Sequence, residues 1–289
     1  MLRTMRQRSI GFMLIAMFSF ALSDTFMKMA LQSLPLPQAL VIRGIPACLF
    51  ILLIARVDGS FRYRLSSGDR RLLGLRSLME VMATASFLTA MQHMPIGNLT
   101  AILQSVPLVA TFAAALFLGE TVGWRRALAV AVGFIGVLIV IRPGPSGFDL
   151  YALIGLVAVF FVVVRDLVTR RMSRDIPAPL VALGAAGMVC MLAAIWSAGI
   201  EWQPVTLQAA TGIAVSAVFM TLAFISLVTA LKAGNISATA PLRYAQLLWA
   251  ILFGWLLFGD FPDMITLGGA ALIVASGIFT LLREARLKG

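Results

Sequence analysis

Apolar residues in this chain come in long runs, each ending at a short cluster of turn formers or charges. Ten runs are legible, over residues 9–30, 37–55, 72–93, 96–118, 124–141, 148–169, 178–198, 206–231, 236–258 and 264–282. Each is roughly 18–25 residues long, and about 20 residues of helix cross a ~30 Å hydrocarbon layer. The breaks are brief and rich in proline and glycine, as in Leu34-Pro35-Leu36-Pro37, His93-Met94-Pro95 and Arg142-Pro143-Gly144-Pro145. The pattern predicts an all-α membrane protein of ten transmembrane helices, uninterrupted by any soluble domain.

The runs repeat. Ser86-Phe87-Leu88-Thr89-Ala90 returns 140 residues later as Ser226-Leu227-Val228-Thr229-Ala230. Phe117-Leu118-Gly119-Glu120 returns at the same offset as Leu257-Phe258-Gly259-Asp260, acid for acid. A fixed offset of about half the chain means two structural repeats, over 9–141 and 148–284, with five spans in each. Five is odd, so the second copy enters the membrane from the opposite side. Inverted repeats belong to secondary transporters, whose substrate sits near the midplane between the halves.

The placement of lysine and arginine orients the chain. Seventeen lie in loops and ends that share one side, against Arg142 alone on the other. Basic loops stay in the cytoplasm, so both termini are expected inside. Arg3, Arg6 and Arg8 followed by an apolar stretch to Ala21-Leu22-Ser23 imitate a signal peptide. Asp24 and Lys28 extend the same helical face, however, and the segment reads as an uncleaved first span.

Composition agrees: 61% hydrophobic and 12% charged residues lie far from the about 45–50% apolar and about 25% charged of soluble domains. The net charge of +11 raises the question of nucleic acid. The basic residues cluster in short loops without interleaved aromatics, which reads as membrane topology, and no nucleic-acid partner is expected. Cys48 and Cys190 fall inside apolar runs and read as free thiols acting as small hydrophobes. His93, the one histidine, has no second ligand nearby, so neither a metal nor a cofactor is expected.

A charge at the centre of a span costs ~2.5–3.5 kcal/mol on insertion scales and needs a reason. Asp24 and Lys28 share a face of span 1, as Arg76 and Glu80 do on span 3. Each couple is either a self-neutralising pair with its long arm snorkelling to the interface or part of a wet cavity, which Asp24 and Glu80 are the deeper to face. Arg43 and Arg243 have no local acid; each meets either a carboxylate on another helix or a substrate. On span 4, Thr100, Gln104, Pro107 and Thr111 form one polar stripe, which either lines a cavity or glues helix to helix. The counterpart of Gln104 at the 140-residue offset is Tyr244, so symmetry sets both toward one central volume. Phe20 on span 1 and Phe87 on span 3 lie on the same faces as Asp24 and Glu80. Fifteen methionines suit a wall that accommodates varied apolar groups, though core packing is the commoner use of any one. Trp249 and Tyr244 are placed to bracket a substrate, whereas Trp124, Trp202 and Trp255 read as interfacial anchors. Small residues in span 5 (Ala129, Gly133, Gly136) and span 10 (Gly269, Ala271, Ala275, Gly277) permit close helix contact within one protomer or between two.

Several phrases resemble the EamA-type carriers of the drug/metabolite transporter superfamily, over nearly the full length. They are Ser23-Asp24-Thr25-Phe26-Met27-Lys28 closing span 1, Pro37 with an early Arg43 in span 2, and Ala90, Pro95 and Pro107 leading to Gly119-Glu120. Pro107 has no counterpart in the second half, where Leu247 stands. Pro241-Leu242-Arg243-Tyr244 is similar instead to a branch with amino-acid exporters and S-adenosylmethionine carriers. The resemblance implies two inverted five-helix repeats around a central cavity lined by spans 1, 3, 4, 6, 8 and 9, in a bacterial inner (plasma) membrane. It puts span 2 outside the cavity wall, which favours a structural role for Arg43. With the residue pattern, it nominates Phe20, Asp24, Glu80, Phe87, Thr100, Gln104, Arg243, Tyr244 and Trp249 as substrate-binding.

No G-x-x-x-x-G-K-[ST] phosphate loop and no H-E-x-x-H or G-x-S-x-G occurs, so neither an ATP-driven pump nor an intramembrane enzyme is expected. Single polar groups at unequal depths do not make the rings of a pore filter. The expectation is a secondary carrier by alternating access, exporting amino acids with neutral and aromatic side chains; the alternative is uptake of S-adenosylmethionine or a similar metabolite. Its partners are a small-molecule substrate and the lipid bilayer, and it acts as a monomer or weak homodimer.

Overall fold

The computed structural model describes residues 2–118, 123–142, 149–173, 175–233 and 240–288. Gly119-Glu120, the Pro143-Gly144-Pro145 turn and Arg174 lie outside these residues. The helices are α1 (Leu2–Ala30), α2 (Leu36–Val57), α3 (Ser67–His93), α4 (Ile96–Leu103), α5 (Val106–Leu118), α6 (Trp124–Ile141), α7 (Leu150–Arg171), α8 (Ala178–Ser197) and α9 (Leu207–Ala233). A 3₁₀ turn (Ala240–Tyr244), α10 (Ala245–Phe258) and α11 (Met264–Lys288) complete them. Among the described residues there is no strand. Nine segments are long and apolar enough to cross a membrane, and α6 adds the shorter apolar run Ala127–Ile141. This is the all-α membrane fold of ten spans that the hydrophobic pattern predicts.

Local chemistry sets many of the boundaries. Ser66 caps α3 by accepting from the Asp69 amide at 3.0 Å, and its own hydroxyl donates to the Asp69 carboxylate at 2.7 Å, so two groups of the first turn are satisfied together. Asp149 caps α7 through the Tyr151 amide at 3.2 Å. Pro37 and Pro179 occupy the first turns of α2 and α8, where the missing N–H costs nothing. Gly259 closes α10 at φ +71°, a left-handed conformation that glycine adopts without a Cβ clash.

Two spans are not continuous, which the apolar pattern alone does not reveal. Span 4 breaks at Gln104-Ser105 between α4 and α5, just before Pro107, whose ring and lost N–H weaken the helix at that point. Span 9 opens with the tighter 3₁₀ turn, carrying Pro241, before α10 begins at Ala245. Among the described residues, a proline therefore stands at a departure from α geometry in the same span of both halves, at different registers.

The principal packings join one half to the other. α1 lies on α9, α3 on α7, α2 on α8 and α6 on α11. Exchanging the halves turns the α1–α9 pairing into α7–α3 and returns the other two to themselves, as a pseudo-two-fold requires. Polar groups reinforce these seams. The Ser23 hydroxyl donates to the Ser216 carbonyl at 2.9 Å across α1–α9. Buried Gln38 binds both backbone groups of Gln203, at 2.7 and 2.9 Å, tying α2 to the α8–α9 connection. A methyl group on Gly136 would lie 2.7 Å from the Gly269 carbonyl oxygen, so the small residues of spans 5 and 10 serve contact within one protomer. One core cluster runs through both halves and includes Leu99, Ile102, Leu108, Leu247 and Ile273.

Candidate substrate site

The break in span 4 touches the 3₁₀ turn of span 9. The Gln104 side-chain amide donates to the Arg243 carbonyl at 3.2 Å, joining the break in span 4 to the 3₁₀ turn of span 9. An irregular backbone at this depth is tolerated where protein or water satisfies it, and here a side chain from the opposite half does so. The Arg243 side chain is exposed, and its guanidinium makes no ion pair among the described residues.

Beside this junction, α3 and α7 hold a cluster of charges. Arg165 donates to Asp166 Oδ1 from Nε at 2.9 Å and from Nη2 at 2.8 Å. Its Nη1 reaches both oxygens of Glu80, at 3.1 and 3.3 Å. Arg76 Nη2 lies 3.3 Å from Glu80 Oε2, while its Nε and Nη1 are enclosed without a partner. Asp166 and Arg165 stand within electrostatic range of Arg243. The side chains of Glu80 and Asp166 keep 22% and 41% of their surface exposed, so the cluster is only partly enclosed by α3 and α7, as charged groups within an apolar span require. Sequence reasoning paired Arg76 with Glu80 and missed Arg165 and Asp166. The available signal was the insertion cost of two charges inside the apolar run 148–169, hidden because they stand close to its end.

The couple on span 1 does not pair with itself. Lys28 Nζ donates to the Met94 carbonyl at 2.8 Å, approaches Asp260 Oδ2 to 3.7 Å and lies 5.0 Å over the Phe258 ring. Lys28 thus ties α1 to the α3–α4 corner and the end of α10. Asp24, one turn earlier and buried, accepts from Gln246 Nε2 at 3.5 Å and has Arg43 of α2 as its electrostatic partner. Among the described residues no ion pair joins Arg43 to that carboxylate, which stands only within its electrostatic range.

The aromatic candidates divide. Trp249 packs edge-on against Phe18, centroids 5.1 Å apart, and stacks on Phe253 at 6.1 Å. Phe20 meets Phe224 edge-on at 5.4 Å, and Phe87 packs against the main core. Thr100 is buried on α4, and Thr111 returns its hydroxyl to the Pro107 carbonyl at 2.9 Å. Tyr244 departs from the symmetric expectation: its ring turns toward α11, its hydroxyl lies where a Cβ on Gly277 would stand, and that buried hydroxyl has no partner. Tyr244 adjoins Gln104 through the backbone of Arg243 rather than through its ring, because Gly277 leaves room on the α11 side. An apolar depression between α6 and α11, lined by Trp124, Leu128 and Phe279, lies on the opposite face of α11 from this chemistry and offers a substrate almost no polar group.

The chain matches the model of the EamA-like transporter family twice, over residues 7–142 and 149–282. It is 26% identical over 212 residues to an S-adenosylmethionine uptake transporter of Rickettsia bellii, covering 73% of this chain and 72% of that protein. It is 25% identical over 270 residues to a pseudopaline exporter of Pseudomonas aeruginosa, covering 91% and 92%, and 31% identical over 220 residues to a riboflavin transporter of Vibrio cholerae, covering 73% and 72%. A crystal structure of another protein superposes with a TM-score of 0.59 at 18% identity, over 97% of this chain and 98% of its own, which shows a shared fold. A multi-pass helical membrane bundle, matched by the family model in both halves, places the protein among the small-molecule carriers: it belongs to the EamA-like transporter family.

Proposed function

We propose that this carrier moves amino acids out of the cell, with a broad preference for neutral and aromatic side chains. The observation that carries the reading is the junction of Gln104 with Arg243, where an exposed guanidinium stands at the meeting of a helix break and a 3₁₀ turn, with a cluster of acids and bases on α3 and α7. A zwitterion needs both signs of charge, and the neighbouring aromatic and methionine side chains suit a varied apolar tail. The contact set is Phe20, Asp24, Glu80, Phe87, Thr100, Gln104, Arg243, Tyr244 and Trp249. Transport is by alternating access about this site, between the repeats 9–141 and 148–284, and the basic loops keep both termini in the cytoplasm.

Uptake of S-adenosylmethionine is the second reading, favoured by the Rickettsia relative that bears this function in its name. Proteoliposomes separate the two. Radiolabelled phenylalanine, methionine and threonine should exchange across the membrane; a protein that moves S-adenosylmethionine and none of these overturns the first reading. Repeating the flux with and without an imposed pH gradient tests proton coupling.

A further inference from the structure

The apolar depression between α6 and α11 has two walls, and each wall runs up to an arginine. The two helices are antiparallel: Gly136 meets Gly269 and Ile273, while Gly133, earlier on α6, meets Ser276, later on α11. Past these contacts lies the depression, about 350 Å³ in volume, lined on α6 by Arg125, Leu128 and Val132 and on α11 by Ser276 and Phe279. Positions 125, 128 and 132 share one helical face, and so do 276, 279 and 283. Roughly two turns beyond the Gly133–Ser276 contact, α6 reaches Arg125 and α11 reaches Arg283, so the register sets the two arginines level with each other. Trp124, Leu128 and Phe279 are exposed, and the groove therefore opens to the bilayer.

Its charge is of one sign. The Arg125 guanidinium lies 5.2 Å from the Trp124 ring, and neither Arg125 nor Arg283 forms an ion pair among the described residues. α6 contains no acid, and the α11 face of Ser276, Phe279 and Arg283 carries none. Within a membrane, an apolar groove is filled by an acyl chain or by another helix. Tryptophan prefers the headgroup level, which puts both arginines at the depth of the phospholipid phosphates. Arginine binds phosphate through paired charge-assisted hydrogen bonds, and basic pockets between transmembrane helices hold anionic head groups. A second copy of the chain related by a two-fold along the membrane normal would bring the same arginines to the same depth, like charge against like. The charges thus favour lipid over a dimer.

We propose that this groove binds one anionic phospholipid, with an acyl chain along Leu128, Val132 and Phe279 and the phosphate between Arg125 and Arg283. The site lies across α11 from the Tyr244 hydroxyl, and its occupancy is independent of which substrate the carrier moves.

The test uses the full chain in detergent, with retained lipid counted by native mass spectrometry. The probes are dioleoyl phosphatidylglycerol and dioleoyl phosphatidylcholine, which share both acyl chains and differ in net charge. The wild type should retain one phosphatidylglycerol with a preference of about tenfold or more. Arg125→Gln with Arg283→Gln should bring that preference within about threefold. Val132→Phe fills the groove without altering its charge and should lower retention of the same single lipid. Glycerol 3-phosphate, the head without its tails, should not displace it. Equal retention of the two lipids by the wild type overturns the proposal, whether or not any variant folds. So does an unchanged preference in the double arginine variant, full retention by Val132→Phe, displacement by glycerol 3-phosphate, or a two-chain mass in place of bound lipid.

Discussion

The contact between α6 and α11 gives a prediction whose size can be worked from the coordinates. A Cβ on Gly136 would lie 2.7 Å from the Gly269 carbonyl oxygen, and one on Gly269 would lie 2.8 Å from that of Gly136. Ordinary van der Waals contact begins at 3.4 Å, so either alanine forces the helices apart by roughly 0.6–0.7 Å. Overpacking of this kind costs about 1–3 kcal/mol, offset by the ~1 kcal/mol that alanine gains over glycine in a helix. The net is about 0–2 kcal/mol, and because the atom met is a backbone oxygen that cannot swing aside, each single substitution should fall toward the upper end, a drop in Tm of several degrees. One separation relieves both clashes, so Gly136→Ala with Gly269→Ala should cost little more than the worse single change. Gly268, with nothing within 4 Å of its added Cβ, is the control: Gly268→Ala should hold or raise the Tm. The assay is a thermal ramp of tagged protein in detergent, read by fluorescence-detected size exclusion. A Gly136→Ala protein that melts like the wild type, or a double substitution that loses the full sum, would refute the close-contact account.

Gln104→Ala removes the bond between the break in span 4 and the 3₁₀ turn of span 9, a net loss of about 1 kcal/mol, and should reduce flux severalfold in proteoliposomes while membrane insertion stays normal; wild-type flux would remove Gln104 from the site. Tyr244→Phe deletes a buried hydroxyl that has no partner and should leave the Tm unchanged or higher, whereas Tyr244→Ala should impair flux. Asp24→Asn should impair transport at normal expression, and loss of folded protein instead would assign Asp24 to holding Arg43. Asp263 lies just before α11, where the Thr266 amide and then the Arg142 guanidinium hold its carboxyl down to about 2. A depressed pKa stabilises the fold above the unfolded value of about 3.9 and stops doing so as pH falls through the folded one. Asp263→Asn should therefore lower the Tm above pH 4, with the gap to wild type closing toward pH 2.

The sequence alone determined the number of spans, the two repeats and the residues that carry unusual cost. These follow from local quantities: the hydrocarbon thickness sets run length, and a charge in lipid is expensive whatever lies beyond its own helix. Glu80 and Arg76 were legible as neighbours for that reason, being one turn apart. Partnership across helices was not. Lys28 turned from Asp24 to Met94 and Asp260, Glu80 acquired Arg165, and Tyr244 swung toward the space above Gly277, because each outcome depends on which faces meet across more than 30 residues of chain. The break at Gln104 belongs to the same class: a proline marks where a helix is weakened, and only the neighbour that satisfies the freed backbone decides that it opens. Tertiary structure alone also interlocked the repeats, since every principal packing joins one half to the other and no periodicity within a half encodes its partner.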